Sequence, residues 1–308
     1  MHYLVVTFLA RFLVALEIIL DKFLLSSKRV SHPAIYTFYS GLLSSFVLVL
    51  IPFGFHFLSP GQILESIIAG MLFGYGILLL FYAIRDSEAS RVMPVVGAIV
   101  PIITYPLSFF VFGGEQLTSF QLGGTFMLIL GGLLISYDYE SVKKKKNKLF
   151  SGFYFSCLAG IFLAVSFTLN KDLYQKDTFL NIFIWTRFGF IIGALSLLFV
   201  FPWRKKILAS ITNFKKPKEE HYHSGGLFVV NKIIGGVGSI ILNYAISIGS
   251  VTIVNALVAL EYVFVFILGF MFSRFFPSFF EEKTDWVTFS QKVSAIVIIS
   301  VGIYLVYK

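Results

Sequence analysis

Cysteine is nearly absent: the 308-residue chain has one, Cys157, inside an apolar block. A lone thiol builds neither a disulfide nor a cysteine-rich zinc site, and Cys157 reads as a small packing residue. Charge is scarce as well. Only 13% of residues are Asp, Glu, Lys or Arg, against 57% hydrophobic, and a soluble protein of this size could not hide so much apolar surface. Catalytic signatures are missing too. Neither H-E-x-x-H nor G-x-S-x-G occurs, which counts against a membrane hydrolase. The glycine clusters, such as Gly74/Gly76 and Gly235/Gly236/Gly238, follow no strand and lack the Lys-Ser/Thr of a phosphate loop; they suit close helix packing. His221 and His223 flank Tyr222 without a third ligand, weak grounds for a metal. No cofactor and no metal is expected.

What the chain has instead is apolar blocks of roughly 20 residues separated by short polar breaks, so the bilayer is the implied solvent. Ten membrane helices are predicted: Tyr3–Leu25, Ala34–Pro52, Ile63–Ile84, Ala89–Phe112, Phe120–Tyr137, Phe150–Leu169, Phe179–Phe201, Gly226–Ser247, Ser250–Phe272 and Trp286–Tyr307. The one long polar segment, Trp203–Ser224, separates the seventh from the eighth. The net charge of +9 does not point to nucleic acid, because the basic residues sit between apolar blocks and form no stripe interleaved with aromatics. Anionic lipid headgroups at the loops are the better partner.

The chain repeats itself. LARFLVALEIILDKFL, Leu9–Leu24, aligns without gaps on LAGIFLAVSFTLNKDL, Leu158–Leu173, and GYGILLLFYAI, Gly74–Ile84, aligns on GVGSIILNYAI, Gly236–Ile246. Two matches in the same order divide the chain into halves at 1–140 and 150–308, joined by a basic linker at 141–149. Five helices per half is odd, so the second half must enter the membrane from the opposite side. The expected fold is all-α and integral to the membrane, with ten transmembrane helices as two inverted five-helix repeats. In transporters built this way the site lies at the repeat interface near the midplane.

Glu88–Ser136 carries a further pattern: a small-residue entry, a mid-helix proline at Pro101, then Gly114, Glu115 and Thr118 opening a glycine-rich helix. Together with the 5+5 repeat, it resembles the EamA-like ten-helix members of the drug/metabolite transporter superfamily. The second half departs from the pattern, with Glu261 and Tyr262 near the place of the proline. The resemblance implies transport of a small molecule, such as an amino acid, nucleotide precursor, sugar or drug, across the plasma membrane of a prokaryote. It also implies both termini in the cytoplasm.

Six ionisable side chains lie well inside predicted helices: Arg11, Glu17, Arg187, Lys232, Glu261 and Lys292. Glu261 is the only one in the 23-residue run Ser250–Phe272, with eleven residues on either side. A carboxylate at mid-span costs roughly 2.5–3.5 kcal/mol on insertion scales, so Glu261 is expected to face a polar interior within reach of Lys232, Arg187 or Asn231. It is the candidate coupling carboxylate; a static structural ion pair is the alternative. Arg11 and Lys292 are expected to snorkel toward headgroups. Glu17 shares a helix face with Asp21 and either lines a polar path or partners Lys22 and Arg11. Asn231, Asn243 and Asn255 need partners at mid-membrane. Tyr36, Tyr82 and Tyr262, with Tyr39, Tyr105, Trp185 and Tyr244, are candidate cavity aromatics that could equally be packing residues.

The functional expectation is a secondary transporter working by alternating access as a monomer or homodimer, driven by protons or exchange. A flippase for a lipid-linked sugar or similar amphiphile is the second reading, and a membrane enzyme or receptor-like protein the third. Eighteen of the 25 basic residues fall in loops after odd-numbered helices and three on the opposite side. The positive-inside rule therefore places both termini outside, against the family orientation.

Overall fold

The structure is a computed structural model that describes residues 2–26, 32–86, 89–114, 116–135, 152–213, 220–273 and 286–308. The basic linker at 141–149, Glu115 and the segment 274–285 lie outside the described residues. Within them the secondary structure is helical, without strands. Twelve α-helices follow in order: α1 His2–Ser26, α2 Pro33–Leu43, α3 Pro60–Asp86, α4 Ala89–Pro106, α5 Ser119–Ile135, α6 Phe153–Lys176, α7 Phe179–Ser196, α8 Phe201–Asn213, α9 Glu220–Ile248, α10 Val251–Ala256, α11 Val258–Ser273 and α12 Trp286–Tyr307. Eight helical segments among the described residues are long and apolar enough to cross a membrane, and two shorter apolar ones are Ser119–Leu134 and Val251–Val265. Counting those two gives a number compatible with ten crossings.

Local chemistry sets several boundaries. Pro33 occupies the start of α2, where its missing N–H costs nothing, and the His32 ring accepts the Ala34 N–H at 3.3 Å. Beyond Leu43 the helix tightens to 3₁₀ geometry over Ser44–Phe53 and stops at Gly54, whose φ of 151° suits glycine. Three prolines, Pro94, Pro101 and Pro106, punctuate α4, which loosens into a π turn at Leu107–Val111. Proline supplies no amide for the ladder, so irregular turns nearby are expected.

Two differences from the sequence reading matter. The segment Trp203–Ser224 is not a loop throughout: its first part is helix α8, and α9 already begins at Glu220. The ninth predicted helix is not continuous either. It breaks at Leu257 into α10 and α11, although neither proline nor glycine marks the position.

The outer surface is apolar, with Val5, Phe46, Phe110, Phe199 and Val297 exposed, as lipid contact requires. The inside is closely packed. A Cβ on Gly124 would stand 2.7 Å from the Gly302 carbonyl, so α5 and α12 approach backbone to backbone. The principal pairings are α3 with α6 and α7, α1 with α9 and α11, α4 with α6 and α10, α2 with α7, and α5 with α12. Exchanging each crossing segment with the one five places on turns α3–α6 into α1–α9 and α4–α6 into α1–α11, and it maps α2–α7 and α5–α12 onto themselves. That set is compatible with an inverted repeat; α3–α7 is the pairing without a counterpart of like extent.

Candidate functional site

The break at Leu257 organises the centre of the molecule. Ser250 caps α10, its Oγ accepting the Ile253 N–H at 3.0 Å. Six residues later α10 ends; the Leu257 N–H still reaches the Ile253 carbonyl at 3.0 Å, and the Val254 carbonyl lies at the helix end, where a side-chain donor can serve it. Arg11 of α1 is that donor: Nη2 donates to the Val254 carbonyl at 2.9 Å and Nη1 to Glu261 Oε2 at 3.1 Å. Glu261 sits in the first turn of α11. The guanidinium therefore meets the negative end of one helix and the carboxylate the positive end of the next, each the favourable choice for its charge. Side-chain exposures of 7% for Arg11 and 2% for Glu261 make this a sealed pair. Two expectations are corrected here. Arg11 does not snorkel, and the partner of Glu261 is Arg11, not Lys232, Arg187 or Asn231. Arg11 lies near the middle of a 25-residue helix, too far from either end to reach a headgroup.

A second pair joins the same two chain halves. Lys232 of α9 donates from Nζ to Glu17 Oε1 of α1 at 2.8 Å, and the ammonium stands 4.9 Å from the centre of the Tyr36 ring on α2. Glu17 thus pairs with Lys232, not with Arg11. At 14% and 22% side-chain exposure this pair keeps some access to its surroundings. A Cβ on Gly235 would overlap the Glu17 carboxylate, so the glycine provides the space in which the pair forms.

The third interior cation is different. Arg187 of α7 donates from Nη2 to Ser239 Oγ at 2.7 Å and lies against the rings of Phe183 and Phe73, 4.5 and 5.3 Å from their centres. No carboxylate among the described residues is within ion-pair distance of it. The contact continues along α9 and α6: Asn243 donates from Nδ2 to the Ser239 carbonyl at 2.9 Å, and Tyr174 donates its hydroxyl to Asn243 Oδ1 at 3.2 Å. Lys232, Ser239 and Asn243 are spaced seven and four apart, which puts them on one face of α9. They form a polar stripe on which both cation sites border.

The remaining candidates divide. Asn243 belongs to the Arg187 network, and Asn231 is wholly buried beside Lys232 in the sequence. Asn255, in α10, is 3% exposed, and its Nδ2 is sealed without an acceptor among the described residues. Tyr262 donates to the Met93 carbonyl at 2.7 Å, tying α11 to α4. Tyr82 stands apart near the end of α3, among His32, Phe155, Trp203 and Arg85. Burial, and then the charges of Lys206 and Arg85, hold His32 below its usual pKa. Ser239 and Tyr174 were not singled out from the sequence, although Ser239 shares the helical face of Lys232. At the opposite ends of these helices, Lys176 reaches Glu65 at 3.3 Å and pairs with Asp172, while His56 bonds Asp177 at 3.0 Å. Desolvation works against the Asp177 carboxylate, but hydrogen bonds from His56, Asn181 and the Thr178 N–H prevail and hold its carboxyl below the usual range.

Comparison with known proteins bears on this arrangement. The family model of EamA-like transporters matches residues 2–137. A solved crystal structure whose description names no activity superposes with a TM-score of 0.65, covering 98% of each chain at 15% identity, a likeness that carries the fold alone. No curated protein matches.

Proposed function

We propose that this multi-pass membrane protein, whose residues 2–137 match the family model of EamA-like transporters, is a secondary transporter of a small metabolite. It works by alternating access in the plasma membrane of a prokaryote. The observation that carries the proposal is the interrupted helix α10–α11, with Arg11 and Glu261 set into the break. Discontinuous helices at mid-membrane, offering unpaired helix ends to charged groups, mark the binding and coupling sites of secondary transporters.

The mechanism follows from which parts the charges connect. Arg11 and Glu17 lie in the first proposed repeat, 1–140, and Glu261 and Lys232 in the second, 150–308. Both ion pairs cross the interface about which the halves rock. Glu261 is the coupling carboxylate: a proton arriving on it removes the negative charge that holds Arg11, and its loss restores the pair. Lys232, Glu17, Tyr36, Asn231, Asn243, Asn255, Tyr262 and Arg187 line or support the substrate path, and Tyr82 borders its end. The basic loops and the exposed Arg204, Lys205 and Lys206 of α8 rest on anionic headgroups.

Sealed vesicles containing the purified protein, offered a labelled pool of small metabolites, test the reading. At least one compound should enter faster than into protein-free vesicles. Uniformly equal rates, with folded protein in the vesicles, refute it.

A further inference from the structure

Among the described residues, one interior cation stands apart from the ion pairs of the centre. Arg11 is matched by Glu261 and Lys232 by Glu17, but Arg187 has no carboxylate partner among the described residues. It lies eight residues into α7, about 12 Å along the axis from the Phe179 start, well inside a hydrocarbon layer about 30 Å thick. A buried guanidinium without a counter-charge is costly, and buried charges in membranes pair or serve a substrate path. Phe73 and Phe183 offer their ring faces, a weaker attraction than a carboxylate gives. Ser239 occupies Nη2 alone. Nε and Nη1 take no acceptor among the described residues, and neither is among the sealed unpartnered atoms, in contrast to Nε of Arg11. The side chain as a whole is half-buried. Arg187 thus presents accessible donors in a rigid plane, held in place by Ser239 and by two rings from different helices.

Resting on the transporter reading above, we propose that Arg187 is the anchor for a carboxylate on the transported molecule, a small organic monoanion. The planar fork of a guanidinium matches a carboxylate with two parallel hydrogen bonds. The balance of charge selects the monoanion. One carboxylate neutralises Arg187, whereas a phosphate dianion would leave an excess negative charge that Lys232, already paired with Glu17, does not meet. Ser239 is a positioning residue: its Oγ takes Nη2 and leaves Nε and Nη1 as the open side of the guanidinium.

The test uses the full-length protein in detergent, with the unfolding temperature followed against acetate, pyruvate and benzoate, their amides, and inorganic phosphate. At least one carboxylate should raise Tm saturably, while its amide and phosphate do not. Arg187→Gln should weaken the apparent affinity about tenfold or more, the loss of a charge-assisted hydrogen bond. Ser239→Ala should weaken it less. If the Arg187→Gln protein fails to fold, the wild-type comparison and Ser239→Ala decide alone. An amide or phosphate that acts as well as the carboxylate overturns the proposal, as does a wild-type protein that responds to no carboxylate. Transport in vesicles is scored separately: transport without carboxylate binding removes the anion site alone, and carboxylate binding without any transport removes the transporter reading alone.

Discussion

Replacing Arg11 by methionine keeps most of the side-chain volume and deletes the charge that serves both Glu261 and the Val254 carbonyl. The pair is nearly sealed, at 7% and 2% exposure, so water cannot take over. Removing one partner of a buried ion pair costs about 3–5 kcal/mol, and orphaning a buried carbonyl costs about 1–3 kcal/mol. The two losses share one side chain and do not simply add, which puts the expected destabilisation at roughly 4–6 kcal/mol. Domain stabilities are about 5–15 kcal/mol, so the effect is large. The double variant Arg11→Met/Glu261→Met should recover most of it, because a buried pair exchanged for apolar groups of similar size is often neutral. Denaturant unfolding in detergent, completed as a double-mutant cycle, reads these differences. Glu17→Gln provides the contrast: at 14% and 22% exposure its pair with Lys232 should contribute less, about 1 kcal/mol by comparison with exposed pairs. An Arg11→Met protein within about 1 kcal/mol of wild type, or a double variant no better than the single, contradicts the description of the break as held by Arg11.

Other outcomes follow from the same contacts. Gly235→Ala should push the Glu17 carboxylate off Lys232 and cost about 1–3 kcal/mol by overpacking, visible as a lower Tm with the fold retained; an unchanged Tm would show that the space is not needed. The Asp177 carboxyl is held below its ordinary value, so the fold favours its ionised form and that stability is present above about pH 4. It is lost as pH falls through the folded value, and Asp177→Asn should flatten the acid limb of Tm against pH; identical limbs would refute the link. For orientation, the charge distribution places Lys308 outside the cell, and a reporter fused after it that works only in the cytoplasm should stay silent. Activity there supports the family orientation instead.

Glu261 was legible because it is the lone ionisable group in its run, and depth in a bilayer follows from counting residues. Its partner was not, because Arg11 is 250 positions away and spacing says nothing of which helices meet. The middle position of Arg11 in α1 was available from the same counting and argued against snorkelling. The break at Leu257 leaves no mark in Val251–Ser273, since the residues that stabilise it, Arg11 above all, come from another helix. Helix α8 was hidden by its basic residues, yet Trp203, Ile207 and Ile211 keep the spacing of a helix face. The isolation of Arg187 from carboxylates among the described residues required the structure: only there is it clear that Arg11 pairs with Glu261 and Lys232 with Glu17 while Arg187 meets Ser239.

Coupling through Glu261 is the central claim, and vesicles with an imposed pH gradient test it most directly once a transported compound is in hand. Wild-type protein should concentrate the compound when the gradient is applied and exchange it across the membrane when no gradient is present. Glu261→Gln should lose gradient-driven accumulation while remaining folded by its unfolding curve. Accumulation at the wild-type level in the Glu261→Gln protein would contradict the account and leave the Arg11–Glu261 pair as a structural clasp.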